Sequence, residues 1–114
     1  MLTGFERDAM IHAIGQTVED YNNLLNQLNL PCVTKRSRSD FGFYLDFSSF
    51  ISKLNDKRGV PLDGSFEAVA MHPNGEDAIF CIVYVRDGSP FLLECSSTGE
   101  WPEDDRHIVF YQSK

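Results

Sequence analysis

The stretch "AIFCIVYVRDGSPFLLECS", residues 78–96, decides the fold. Its first eight residues, Ala78 to Val85, are apolar and rich in β-branched and aromatic side chains, which read as a strand; the run is far short of the ~20 residues that span a bilayer. Asp87-Gly88 supplies the residue types that accept positive φ in a tight hairpin, so the chain is expected to return as a second strand through "FLLECS". Because 78–85 lacks polar alternation, it is expected to be the central strand, covered on both faces.

Working outward, "FEAVAMH" (66–72) enters the hairpin through the turn residues Pro73-Asn74-Gly75, and "HIVFYQ" (107–112) follows the last loop. In "FGFYLDF" (41–47), Phe41, Phe43, Leu45 and Phe47 alternate with Gly42, Tyr44 and Asp46, which predicts one apolar face on a strand. "VTKRSR" (33–38) is its expected antiparallel neighbour. Alternation keeps Lys35, Arg36 and Arg38 from sharing one face, and a charged edge strand that resists aggregation explains them.

Before the strands, Thr3-Gly4-Phe5-Glu6 has the spacing of a capping box and predicts a helix with Phe5, Ala9, Met10, Ala13 and Ile14 as its stripe and Gly15 as its stop. A second helix is expected from Thr17, with Val18, Tyr21, Leu24, Leu25 and Leu28 inward, ending at Asn29-Leu30-Pro31. Residues 48–59 read as a short helix starting at Ser48 or Ser49, or as a loop. The expected fold is α+β: two N-terminal helices packed on a roughly five-stranded antiparallel sheet, in a single domain over residues 1–114.

Charge narrows the function. The net charge is −7, and residues 63–106 carry ten acids against Arg86 and Arg106, whereas residues 1–62 balance to zero. That field disfavours direct binding to nucleic acid or anionic lipid, both of which reward Lys and Arg. Three widely spaced cysteines, Cys32, Cys81 and Cys95, form neither a disulfide framework nor a zinc motif; Cys81 and Cys95 read as small core residues. His12, His72 and His107 have no metal-ligand spacing, no nucleophile motif surrounds Cys95, Ser96 or Ser97, and the glycines form no phosphate loop. No catalytic residue, metal or cofactor is assigned, and no enzyme activity is expected. The N-terminus lacks the order of a signal peptide, so a cytoplasmic protein is expected.

In "FLLECSSTGEWPEDD" (91–105) acids and the only tryptophan coincide. Asp87, Glu94, Glu100, Trp101, Glu103, Asp104 and Asp105 are the candidate partner-binding residues: carboxylates steer a cationic protein, and tryptophan is a frequent anchor. Alternatively, Trp101 closes one end of the core while the acids are merely solvated.

The elements "LTGFE", "LLNQLNLPCV", "FGFYLDF", "VYVRDG", "FLLE" and "EWPED" together resemble a family of small bacterial proteins sharing an L-T-x-x-E opening, a G-x-G-F-[FY] strand, a DG turn, an L-E strand and a W-P loop. Here Asp40-Phe41-Gly42-Phe43 lacks the first glycine, and "CSSTG" replaces the usual aromatic segment. Small acidic proteins of this kind resemble immunity proteins encoded beside toxins, including those of contact-dependent growth inhibition. The resemblance implies a partner: a cationic toxin domain, with a nuclease the fitting class. A small-molecule-binding or enzymatic domain with a pocket between helices and sheet is the alternative, and a structural adaptor the third.

Overall fold

The computed structural model describes residues 2–18, 21, 32–48 and 54–111. Helix α1 (Gly4–Ile14) starts where the capping box places it: the Glu6 amide donates to Thr3 Oγ1 at 3.2 Å, and the Thr3 amide donates to Glu6 Oε1 at 2.8 Å. Two of the helix's orphan donors are thereby satisfied. The helix ends before Gly15, which keeps a right-handed φ of −59°. The second helical run lies outside the described residues apart from Thr17, Val18 and Tyr21; the side chains of Val18 and Tyr21 are buried.

Six strands follow among the described residues: β1 (Cys32–Ser39), β2 (Gly42–Ser48), β3 (Gly64–Met71), β4 (Ala78–Arg86), β5 (Ser89–Ser97) and β6 (Val109–Phe110). They form one antiparallel sheet in the order β1-β2-β5-β4-β3-β6. The architecture is α+β as expected, with six strands rather than about five, because 109–110 adds a two-residue edge against Ala70 and Met71. The Asp87-Gly88 turn joins β4 to β5 with φ of 49° and 80°, the paired positive values a two-residue hairpin requires.

The core lies between α1 and one face of the sheet. Ile79, Cys81, Val83 and Val85 of β4 alternate inward and pair with Ser97, Cys95, Leu93 and Pro90 of β5; Phe43, Leu45 and Phe47 of β2 continue the layer. Phe5, Ala9, Met10 and Ile14 of α1 close it. Cys81 and Cys95 are free, fully buried and directly opposite each other; burial, with the hydrogen bond to Cys81, pushes the Cys95 thiol well above its usual range.

Three local readings change. Phe41 does not join the inward face of β2: it sits in the β1–β2 turn, 55% exposed, because pairing begins only at Gly42. At Gly42 the strands approach so closely that a Cβ would collide with the Cys95 carbonyl oxygen. Ser48 ends β2, so no helix starts there; a start at Ser49 lies outside the described residues, and 54–62 form a loop, the alternative reading, closed by an Asn55–Pro61 bridge. Finally, β4 is central, and among the described residues α1 covers it on one face only. Its outward residues Phe80, Ile82 and Tyr84 are partly buried, with the Tyr84 ring 6.3 Å from that of Phe91. A second covering layer is absent among the described residues.

The charged edge strand splits its cations as alternation requires. Arg36 and Arg38 pair with the inward Leu45 and Phe43, and Lys35 with the outward Asp46; Arg36 holds the buried Glu6 carboxylate through two hydrogen bonds, at 2.9 and 3.2 Å, and Arg38 lies 5.3 Å over the Phe43 ring. A contact thirty residues apart thus ties the helix start to the far edge of the sheet. No helix among the described residues is long and apolar enough to cross a membrane.

Candidate protein-binding surface

Three turning segments meet at one end of the sheet, and their hydrogen bonds show how. The Trp101 amide donates to the Asp40 carbonyl at 2.8 Å, the Ser97 amide to Phe41, and the Thr98 amide to Ala78. The β3–β4 turn is joined to the segment after β5 by His72: its Nδ1 accepts from the Asn74 amide at 3.0 Å, so its Nε2, 2.9 Å from the Glu100 carbonyl, carries the proton and donates. Both ring nitrogens are thereby occupied, which gives this buried histidine a structural job. Among the described residues no cluster of histidine, cysteine or carboxylate groups has the arrangement to hold a metal.

Carboxylates gather at this end. Asp77 receives hydrogen bonds from Asn74 Nδ2 at 2.8 Å and the Thr98 hydroxyl at 3.0 Å, which hold its carboxyl below the usual range. Asp104 receives the Arg106 side chain at 2.9 and 2.8 Å and the Arg106 amide at 3.0 Å; the guanidinium bonds are the main cause of its depressed carboxyl, and most of its charge is answered within the loop. His107 Nε2 lies 3.4 Å from the same carboxylate. Asp105 opens a short 3-10 turn, Asp105–His107. Asp40, Glu76, Glu100 and Glu103 are exposed, and none has a side-chain ion pair among the described residues.

The candidate residues therefore separate. Glu100, Trp101, Glu103, Asp104 and Asp105 share the acid-rich end. Asp87 does not: it lies in the β4–β5 turn, where its amide donates to Asp63 Oδ1, and the nine-residue strand β5 separates it from Thr98 by about 30 Å. Glu94 lies on the outer sheet face, paired with Tyr44 and Ile82. Asp40, Glu76 and Asp77 complete the cluster instead. Sequence proximity to Trp101 favours the loop's own acids, and only strand register brings the other two turns beside it; the dense turn "HPNGED" was the available signal.

Trp101 sits at the rim of the core. Its indole meets Phe5 at 5.5 Å and Phe43 at 5.2 Å between ring centroids, edge-on in both cases, while Phe5 also stacks on Phe110 at 5.5 Å. It is partly buried and closes the open end of the aromatic cluster. The acids beside it face solvent because the loop's apolar side chain is turned inward.

Among the described residues, two of the surface depressions are well formed. One, about 370 Å³, is lined by Ser37, Tyr44, Glu94 and Ser96 among others; the second, about 360 Å³, lies between Asp63, Tyr84, Arg86 and Phe91. Neither lies between the helix and the sheet.

Fold and surface together define an α+β domain with a helix on one sheet face, a second face uncovered among the described residues, and an acid-rich end. Comparison with protein-family models, with curated proteins and with solved structures found no match.

Proposed function

We propose that this chain is a non-catalytic immunity protein that binds and neutralises a cationic toxin domain, a nuclease being the class that fits. The observation carrying this reading is the convergence of three turning segments that present Asp40, Glu76, Glu100 and Glu103 as exposed carboxylates without ion-pair partners among the described residues. A nuclease needs a positive groove for phosphate, and a clustered negative surface can occupy that groove or its rim while speeding encounter. The resemblance to small acidic immunity proteins points the same way. A pocket between helix and sheet finds no comparable support, since Phe5, Ala9, Met10 and Ile14 fill that interface.

The test is direct. The protein encoded beside this chain is purified and its nuclease activity is measured with and without one equivalent of the chain. Stoichiometric loss of activity is the expected result; full activity at several equivalents would overturn the reading.

A further inference from the structure

The face of the sheet opposite α1 has a layout of its own. Strand register places Tyr44, Glu94, Ile82 and Glu67 in one row across β2, β5, β4 and β3, with Leu92 beside Tyr84 in the next row and Val69 beside Phe80 on the other side. Phe80, Ile82, Tyr84 and Leu92 make a partly buried apolar stripe along the two central strands. Met71 and Val109, 43% and 67% exposed, continue it to the acid-rich end.

Glu67 and Glu94 flank this stripe at Ile82. Both are exposed, and neither has an ion pair or side-chain hydrogen bond among the described residues. They stand on the strands either side of β4, so their backbones are two strand spacings apart, about 10 Å. That is the width of an α-helix with its side chains. Asp46 adds a third acid to the face, against Lys35 at the β1 edge and Arg86, which lies 4.9 Å over the Phe91 ring near the hairpin.

We propose that this face seats an amphipathic basic helix of the cationic partner, its apolar side on Phe80, Ile82 and Tyr84 and its flanking Lys or Arg residues on Glu67 and Glu94. This rests on the reading of the chain as a binder of a cationic protein and names the surface that anchors it. A second copy of the chain is the poorer occupant, because each carries −7 and would bring the same carboxylates toward each other. The stripe also leads into the acid-rich end, so a partner steered there meets the apolar surface without reorienting.

The test uses the full chain, isotope-labelled, and two synthetic 18-residue peptides of the same leucine and lysine content: one with leucines at helical spacing, the other scrambled. The helical peptide is expected to shift amide resonances of residues 67–69, 80–84 and 92–94. Its affinity at low salt is expected to fall about fivefold in Glu67→Gln/Glu94→Gln. It should fall at least about tenfold in Ile82→Asp, whose folding is checked by its melting curve. Equal binding of the two peptides, shifts confined to residues 72–77 and 98–106, an unchanged affinity in the double amide variant, or a dimer in sedimentation that Ile82→Asp dissolves would each overturn the proposal. The two readings fail separately. Continued inhibition of the neighbouring nuclease without peptide discrimination removes only the helix seat, whereas peptide binding without inhibition removes only the immunity function.

Discussion

Trp101→Ala removes the aromatic ring that closes the core beside the acid-rich end. Full truncation of a buried Trp costs about 3–5 kcal/mol, and an edge-on aromatic pair contributes about 0.5–1.5 kcal/mol beyond its buried area. Trp101 is only partly buried, but it loses two such pairs, to Phe5 and Phe43, which places the cost at about 2–3 kcal/mol. Its amide bond to the Asp40 carbonyl survives in alanine, so the loop keeps its attachment. For a chain of this length the unfolding entropy near the midpoint is about 0.24 kcal/mol per degree, and the melting temperature is expected to fall by about 10 °C. The assay is thermal unfolding followed by far-UV circular dichroism, since the variant has no tryptophan emission. Trp101→Phe should recover more than half of the loss. A melting temperature within about 3 °C of the parent would refute the placement of Trp101 as a core residue.

Two other expectations follow from the polar contacts. Glu6→Ala removes the capping box and one partner of a pair whose Arg36 side chain is 38% exposed, at a cost of about 2 kcal/mol, whereas Arg36→Ala should cost at least as much because it strands a carboxylate that is 2% exposed. Urea midpoints of the two variants decide the order, and a harmless Arg36→Ala would contradict it. The depressed carboxyls of Asp77 and Asp104 make their contribution fully present above the unfolded value of about 3.9 and lost as pH falls through the lower folded values. Amide exchange at Thr98 and Arg106 should therefore be steady from pH 7 to 5 after correction for intrinsic rates, and should lose protection first below about pH 4. Uniform loss across the sheet would contradict it.

What was legible in the sequence was what short-range chemistry fixes. The Thr3–Glu6 spacing predicts the helix start, the alternation at 43–47 the inward face of β2, and Asp87-Gly88 the hairpin; all are present. Phe41 escaped because a pattern of alternate apolar residues does not show where pairing begins. The outer face of β4, uncovered among the described residues, escaped because an apolar run looks the same whether or not a second layer shields it. The acid-rich end was half legible: Glu100, Glu103, Asp104 and Asp105 lie beside Trp101 in sequence, while Asp40, Glu76 and Asp77 arrive there only through strand register, which also carries Asp87 away. The Glu6–Arg36 pair is beyond local reasoning for the same cause.

The proposal is that clustered charge at one end of the sheet captures a cationic toxin, and its most direct measurement is the association rate of the chain with the protein encoded beside it, followed by stopped flow across ionic strength. Four exposed or partly exposed acids are changed to their amides, Glu76→Gln, Glu100→Gln, Glu103→Gln and Asp105→Asn, a set that removes long-range charge while leaving the packing of Trp101 in place. Steering acts on encounter, so the variant is expected to associate at least about tenfold more slowly at low salt, with a flattened salt dependence and a dissociation rate little changed. An association rate equal to that of the parent at low salt would contradict the account.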